Sequence, residues 1–254
     1  MSTTRSFRPF AFRAGVAAAA LAAALLLDDV LVKAVPAVGG AVDAAPTPLR
    51  TSLMRWLGLF HLAGNVEPWL FVAVALALAL ATRSGAGGRR RAVRILVLVL
   101  GPVLLAGLGS EALKLVVRRE RPGAAGGRFA RRPFAVETFR TSPLTFPSGH
   151  AAVAAAGSTA VAILSPPVAP AMIVLAGGCG FHRVLSGAHF PSDVVAGWIL
   201  GWAVALAAAK RLPPEPVGEP LGASAGPQDR PTSLAPPCEE PSRDGERSRS
   251  SGDR

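Results

Sequence analysis

The sequence predicts an all-α membrane protein, a polytopic bundle of six transmembrane helices. Half of its 254 residues are apolar and only 17% are charged. The apolar residues are gathered in runs of Ala, Leu and Val long enough to cross a bilayer, and short arginine-rich segments separate these runs. The mean hydropathy of +0.40 agrees with this pattern. This composition excludes a disordered, collagen-like or disulfide-rich secreted chain.

The net charge of +11 is unevenly distributed along the chain. The last 43 residues contain eight acids and five arginines, so the positive charge belongs to the first 211 residues. Because these basic residues lie in short loops between apolar runs, an anionic lipid or substrate is a better partner than nucleic acid. Cys179 and Cys238 show neither metal-ligand spacing nor the pattern of a disulfide pair.

The first apolar run covers residues 14–27 and follows a basic N-terminus, residues 1–13, which we place in the cytoplasm. Asp28 and Asp29 close this run and mark the end of the first span. A cleaved signal peptide is the alternative, although Ala-Val-Pro at 34–36 is a poor cleavage site. Residues 36–59 are mixed in character, and Trp56 with its apolar neighbours indicates an interfacial helix.

Five further apolar runs predict the other spans. They cover residues 67–82, 95–117, 148–164, 169–185 and 193–209. The five arginines of the 83–94 loop mark it as cytoplasmic by the positive-inside rule. Segments 28–66, 118–147 and 186–192 then face the outside. The membrane domain is predicted over 14–211, and the proline-rich segment 212–254 is predicted as a disordered cytoplasmic tail.

The outward segment 118–147 is rich in arginine, against the positive-inside rule, which indicates a functional role for its charge. It contains seven arginines and only two glutamates. Among them, Arg128, Arg131 and Arg132 alternate with Phe129 and Phe134. These three arginines are candidate headgroup contacts, or equally a solvated loop at an anionic membrane surface.

Two polar motifs lie where predicted outward loops enter apolar helices. Pro147-Ser148-Gly149-His150 begins the fourth span, where free N–H groups, a hydroxyl and an imidazole can meet an anion. An N-cap serine followed by an incidental histidine is the alternative. In the second motif Asp193 follows His189 by four residues, so its carboxylate can accept from one ring nitrogen. A capping aspartate beside a surface histidine is the alternative there.

Two further features place cations near these motifs. Arg183 ends the fifth span, where its charge is costly unless it reaches the interface or meets an anion. Lys114 and Arg121-Pro122 are separated by two helical turns at the outward end of the third span, so both can converge on one phosphate.

Taken in order, the three motifs resemble those of the type 2 phosphatidic acid phosphatase family, membrane lipid phosphate phosphatases related to vanadium haloperoxidases. They are Lys114-x6-Arg121-Pro122, Pro147-Ser148-Gly149-His150 and Arg183-x5-His189-x3-Asp193. The resemblance covers residues 28–209, with the motifs between 114 and 193.

The resemblance implies a catalytic role for three residues. His189 would be the nucleophile that forms a phosphohistidine, Asp193 would orient it, and His150 would protonate the leaving group and later activate water. It implies that the phosphoryl oxygens are bound by Lys114, Arg121, Ser148, Gly149 and Arg183. No metal ion or other cofactor is implied. This chain has His182 where the family often has serine, and we expect a structural replacement there; we expect an interfacial structural role for His61.

The predicted function is metal-independent hydrolysis of a membrane lipid phosphate or diphosphate at the periplasmic face of a bacterial inner membrane. The candidate substrates are undecaprenyl diphosphate, phosphatidylglycerol phosphate, phosphatidic acid and a lipid A phosphate. Two alternatives stay open: a lipid-to-lipid or lipid-to-glycan phosphotransferase with the same site, and a catalytically silent lipid-binding membrane protein.

Overall fold

The computed structural model describes residues 7–44, 46–81, 88–124, 130–135 and 139–212. This part of the chain is helical and contains no β-strand, in agreement with the predicted fold class. Its helices are α1 (Phe7–Ala44), α2 (Thr47–Leu62), α3 (Val66–Ala81), α4 (Gly88–Val117), α5 (Gly149–Leu164), α6 (Ala169–Leu185) and α7 (Pro191–Arg211). A single 3-10 turn, Pro166–Val168, joins α5 to α6.

Several of these helices are long and apolar enough to cross a membrane. Four segments qualify alone: Phe12–Pro36, Gly88–Val117, Pro166–Leu185 and Pro191–Arg211. α2 and the adjoining part of α3 meet at 73° and qualify together as a broken span, whereas α5 is apolar but has only 16 residues. The chain is therefore a multi-pass membrane protein, and the predicted count of six spans is approximate.

The first helix is longer than the sequence predicted. We expected a span over 14–27 that ends at Asp28 and Asp29, but α1 continues through both acids and past Pro36 to Ala44. Asp28 does not end the helix because its carboxylate is buried and forms an ion pair of 2.9 Å with Arg119. A charge that has a buried partner can lie within a helix in the membrane.

Helix α5 is buried along most of its length between α4, α6 and α7. Its alanines let α7 approach closely, and Gly197 and Gly201 of α7 face the backbone of α5 at Ser148 and Ala152. A side chain at either glycine would collide with that backbone. This close packing fixes the start of α5 against the start of α7.

The ends of four helices meet on one side of the bundle. The backbone N–H of Ser148 at the start of α5 donates to the carbonyl of Asp193 in α7, at 2.9 Å. The segment after α4 runs beside them, since the N–H of Thr145 donates to the carbonyl of Arg119 at 2.8 Å. The predicted site residues lie on this side. The predicted tail lies outside the described residues from Pro213 onward, and its disorder stays a prediction.

Candidate active site

His189 lies in the short connection between α6 and α7 and is only 3% exposed. The connection turns at Gly187, whose φ of +67° is the left-handed conformation that glycine adopts readily. The backbone N–H of His189 donates to the carbonyl of Arg183 at 3.3 Å. The imidazole is thus fixed at the end of α6 and close to the first turn of α7.

One nitrogen of the His189 ring is held by Thr145. Nδ1 lies 2.9 Å from the Thr145 carbonyl oxygen and 2.9 Å from its hydroxyl oxygen. A carbonyl can only accept, so this bond requires the proton on Nδ1 and leaves Nε2 with its lone pair. Nε2 is then the ring atom that can attack an electrophile.

Asp193 acts on His189 through Thr145. The spacing of the two residues suggested a direct hydrogen bond, but His189 Nδ1 and Asp193 Oδ2 are 3.8 Å apart. The Thr145 hydroxyl bridges them, because it donates to Asp193 Oδ2 at 2.5 Å. The same carboxylate oxygen accepts the backbone N–H of Phe190 at 2.7 Å. Asp193 therefore organises the connection that carries His189.

Burial favours the neutral form of His189. Desolvation lowers the pKa of the imidazole from its usual 6.5, and the positive charges of Arg183 and Arg121 act in the same direction. Asp193 opposes the shift without reversing it. A neutral ring with the proton on Nδ1 is the form that a nucleophilic histidine needs.

Behind Asp193 lies a buried ion-pair network. Arg119 donates from Nη1 to Asp193 Oδ1 and from Nη2 to Asp28 Oδ2, each at 2.9 Å. Ser192 joins the network through its hydroxyl, which is 2.5 Å from Asp28 Oδ2. The Arg119 guanidinium also lies 3.7 Å from the ring centre of Phe190. The network connects α1 to the first turn of α7.

His150 lies in the first turn of α5, half-buried, at the edge of the same cluster. His189, Lys114 and Arg183 are close enough to interact with its ring electrostatically. His61 of α2 stacks on this ring with 4.9 Å between the centroids. The structure therefore brings the two motif histidines together, and it adds His61 beside them.

Lys114, Ser148 and Gly149 lie together where α4 meets α5. Ser148 caps α5, and its hydroxyl accepts from the Ala151 N–H at 3.4 Å. A Cβ placed on Gly149 would lie 3.7 Å from Lys114 Nζ, so the glycine leaves the ammonium open to approach. Lys114 forms an ion pair of 2.5 Å with Glu111, whose oxygen also faces Gly149.

Arg121 and Arg183 add two further positive charges near His189. Arg121 follows α4 and donates from Nε to the Ser142 carbonyl at 3.1 Å. Arg183 is half-buried in the last turn of α6. Both interact electrostatically with His189. The eight predicted catalytic and phosphate-binding residues thus lie in one region of the molecule, formed by α4, α5, α6, α7 and the segments between them.

Two of the three proposed headgroup arginines, Arg131 and Arg132, lie in the described part of the chain. Arg131 is exposed and donates to the Val117 carbonyl at 3.2 Å, and Arg132 lies 4.0 Å from Glu120. Arg128 lies outside the described residues. Two neighbours in the same cluster, Arg118 and Arg119, are fully buried and bind backbone carbonyls or carboxylates. Part of the positive charge of this segment therefore stabilises the segment itself.

Three residues of the site, Thr145, Arg119 and Asp28, are not predicted from the sequence. Thr145 stands two residues before Pro147 and carries no charge that would single it out. Arg119 stands inside the spacer between Lys114 and Arg121, and Asp28 was interpreted as the end of a span. Two signals were available in the sequence: an acidic residue beside an apolar run, and an arginine cluster in a segment that the positive-inside rule predicts to be poor in arginine.

The described residues contain no group of three or more His, Cys, Asp or Glu side chains arranged to hold a metal ion. The positive charge around the two histidines is supplied by lysine and arginine side chains. Together with the N–H groups at the start of α5, these cations form a site suited to an anion.

Residues 94–214 match the PAP2 superfamily. The lipid A 1-phosphatase of Rhizobium johnstonii is 39% identical over 101 residues, which are 39% of this chain and 40% of that protein. The decaprenylphosphoryl-5-phosphoribose phosphatase of Mycolicibacterium smegmatis is 36% identical over 93 residues, 37% of this chain and 47% of that protein. The undecaprenyl-diphosphatase of Sulfolobus acidocaldarius is 35% identical over 63 residues, 22% of this chain and 28% of that protein.

The chain thus spans less than half the length of each of these curated relatives. No solved structure gives a significant match to it. The matched segment begins in α4 and contains all three sequence motifs, together with Thr145 and Arg119. This segment, just under half of the chain, is therefore similar to the PAP2 superfamily.

Proposed function

We propose that the chain hydrolyses a membrane lipid phosphate or diphosphate through a phosphohistidine on His189. One observation carries the proposal: His189 is buried, its Nδ1 is held by Thr145, and its free Nε2 belongs to a site bordered by Lys114, Arg121 and Arg183. The relatives are named as phosphatases of lipid-linked phosphates, which supports the hydrolysis of a lipid phosphate by this chain.

The first step transfers the phosphoryl group to the protein. His189 Nε2 forms a bond to phosphorus while the bond to the leaving oxygen breaks, and His150 gives that oxygen a proton. Lys114, Arg121 and Arg183, with the N–H groups at Ser148 and Gly149, neutralise the charge on the phosphoryl oxygens. Asp193, acting through Thr145, stabilises the positive charge that develops on the imidazole.

The second step releases phosphate. His150, now neutral, accepts a proton from water while the water oxygen attacks phosphorus and the N–P bond breaks. His189 is then neutral again, and the cycle closes. If an alcohol attacked the phosphohistidine in place of water, the reaction would be a phosphotransfer. Access of water or of an alcohol to the phosphohistidine therefore decides which reaction occurs.

The amphiphilic character of the substrate follows from the position of the site. The catalytic groups lie at one end of membrane helices, so a phosphate at the surface can reach them while its acyl or prenyl chain stays in the bilayer. We place this end at the periplasmic face because the opposite end of α4 from Lys114 carries four arginines: Arg89, Arg90, Arg91 and Arg94. A cysteine at Ala125 should then react with an impermeant thiol reagent in intact spheroplasts. Reaction only after lysis would reverse the orientation.

The experiment that tests the activity is phosphate release by the detergent-purified protein in excess EDTA. Four lipids serve as substrates: undecaprenyl diphosphate, phosphatidylglycerol phosphate, phosphatidic acid and a lipid A phosphate. His189→Ala should abolish release from every lipid, and Arg55→Gln, an exposed change on α2, should not. Release by His189→Ala would refute the mechanism. Loss of lipid phosphate without release, in the presence of an alcohol acceptor, would indicate phosphotransfer.

A further inference from the structure

Three histidines from three helices form one cluster beside the proposed site. His61 of α2 stacks on His150 of α5, with 4.9 Å between the ring centroids and 18° between the planes. His182 of α6 lies on His61 at 4.9 Å and 50°. These three residues are called the imidazole cluster below. His61 lies outside the segment that matches the PAP2 superfamily, and its place in the sequence predicts only a structural role.

The cluster and the adjacent Arg183 contain polar atoms with no partner in the described part of the chain. His61 Nδ1, His182 Nδ1 and Arg183 Nε are buried and form no hydrogen bond there. Buried polar atoms in this state are costly and uncommon. Both residues are half-buried, and each ring has a second nitrogen, Nε2, that can donate a hydrogen bond to a ligand when Nδ1 is unprotonated. If His61 and His182 served only to pack the helices together, apolar rings at these positions would do so equally well.

The position of the cluster indicates which part of a substrate it meets. This step rests on the proposed function, in which His150 protonates the leaving oxygen. Atoms attached to that oxygen must then lie next to His150, where His61 and His182 provide the adjoining surface. Arg183 adds a positive charge that acts on both His61 and His150. Nitrogen donors beside a guanidinium favour an electronegative ligand.

We propose that the imidazole cluster, with Arg183, is a subsite for a second phosphoryl group, the one that stays on the lipid when a lipid diphosphate loses its terminal phosphate. His189 Nε2 bonds to the terminal phosphorus, the bond from that phosphorus to the bridging oxygen breaks, and His150 protonates the bridging oxygen. The leaving group is a lipid monophosphate whose remaining oxygens accept hydrogen bonds from His61 and His182. Water then removes the phosphoryl group from His189 as above.

The test compares farnesyl diphosphate with farnesyl monophosphate, which share one chain and differ by one phosphoryl group. The unmodified protein should have the higher kcat/KM for the diphosphate. His61→Phe keeps a ring on His150 but removes the nitrogens, and it should lower the ratio of the two kcat/KM values about tenfold. His61→Gln, which restores a hydrogen-bonding group, should recover most of the ratio. Arg55→Gln on the same helix is the control and should leave the ratio unchanged.

A binding measurement separates this inference from the proposed function. Methylenediphosphonate, which cannot be hydrolysed at its P–C–P link, should bind the purified protein about tenfold more tightly than orthophosphate, and His61→Phe should remove the difference. An unchanged kcat/KM ratio in His61→Phe, or equal binding of the two anions to the unmodified protein, would overturn the subsite. Absence of phosphate release from both farnesyl substrates would contradict the proposed function, and the binding comparison would still decide the subsite.

Discussion

The hydroxyl of Thr145 donates a 2.5 Å hydrogen bond to Asp193 Oδ2. The same residue holds His189 Nδ1 at 2.9 Å through its carbonyl oxygen. Thr145 therefore stands between the acid and the nucleophile, which are 3.8 Å apart. The orientation of the His189 imidazole therefore depends on Thr145, a neutral residue from another segment, together with Asp193, four residues after His189.

Removal of the Thr145 hydroxyl should lower turnover. Thr145→Ala breaks the connection to Asp193 but leaves the carbonyl that holds Nδ1, so we expect kcat to fall about tenfold with little change in KM. Thr145→Ser keeps the hydroxyl and should retain most of the activity. Steady-state rates of phosphate release from a lipid phosphate give kcat and KM for both variants. Equal activity of the alanine and serine variants would show that the hydroxyl has no part in catalysis.

The ion pair between Asp28 and Arg119 should contribute strongly to stability. Both side chains are at least 95% buried, so Asp28→Ala removes a buried acceptor from Arg119 Nη2 and from the Ser192 N–H, and should lower the free energy of unfolding by about 1–3 kcal/mol, while Asp193 still pairs with Arg119. Asp29→Ala is the matched control, since its side chain is exposed and the change should have almost no effect. Thermal unfolding in detergent compares the two. Similar unfolding curves for the two variants would contradict the role of this network.

The protonation of His189 can be observed directly, because the chain has only four histidines. Burial lowers the pKa of His189, so the ring should be mostly neutral at pH 6.5 and should take a proton only at lower pH. Its neutral form should carry the proton on Nδ1. NMR of 15N-labelled imidazoles, assigned with His189→Ala, reports both properties. Half-protonation at or above pH 6.5, or a proton on Nε2, would contradict the account.

Glu111 should weaken phosphate binding in the unmodified protein. It holds Lys114 in an ion pair of 2.5 Å, and an incoming phosphate must compete for the same ammonium. Because the Glu111 side chain is 46% exposed, solvent limits the effect, and Glu111→Gln should tighten inhibition by inorganic phosphate about threefold. Glu67→Gln, at an exposed position, is the control. Weaker inhibition in Glu111→Gln would mean that the carboxylate supports phosphate binding instead.

The parts of the site that could be predicted were those whose residue types are unusual where they occur. His150, His189 and Lys114 are polar residues at the ends of apolar runs, and the order and spacing of the three motifs that contain them indicate a phosphate site. Thr145 could not be found in this way, because a threonine near a helix start is common. Its role depends on contacts with residues 44 and 48 positions away.

The helical membrane fold could be predicted from the hydropathy of the sequence. The errors in that prediction, like the missed Thr145, come from long-range contacts. Asp28 looked like the end of a span because its partner, Arg119, is 91 residues away in the sequence. The pairing removes the penalty of the charge and lets α1 continue to Ala44. The stacking of His61 on His150 likewise depends on the packing of α2, which no local pattern specifies.

The most direct test of the central claim is to trap the covalent intermediate. The purified protein is mixed with a lipid phosphate that carries 32P in the group to be released, and the reaction is quenched in alkali, where phosphohistidine is stable. We expect label on a peptide that contains His189, its loss in acid, and no label in His189→Ala. Continued phosphate release with no label on the protein, or label that persists in His189→Ala, would contradict the account.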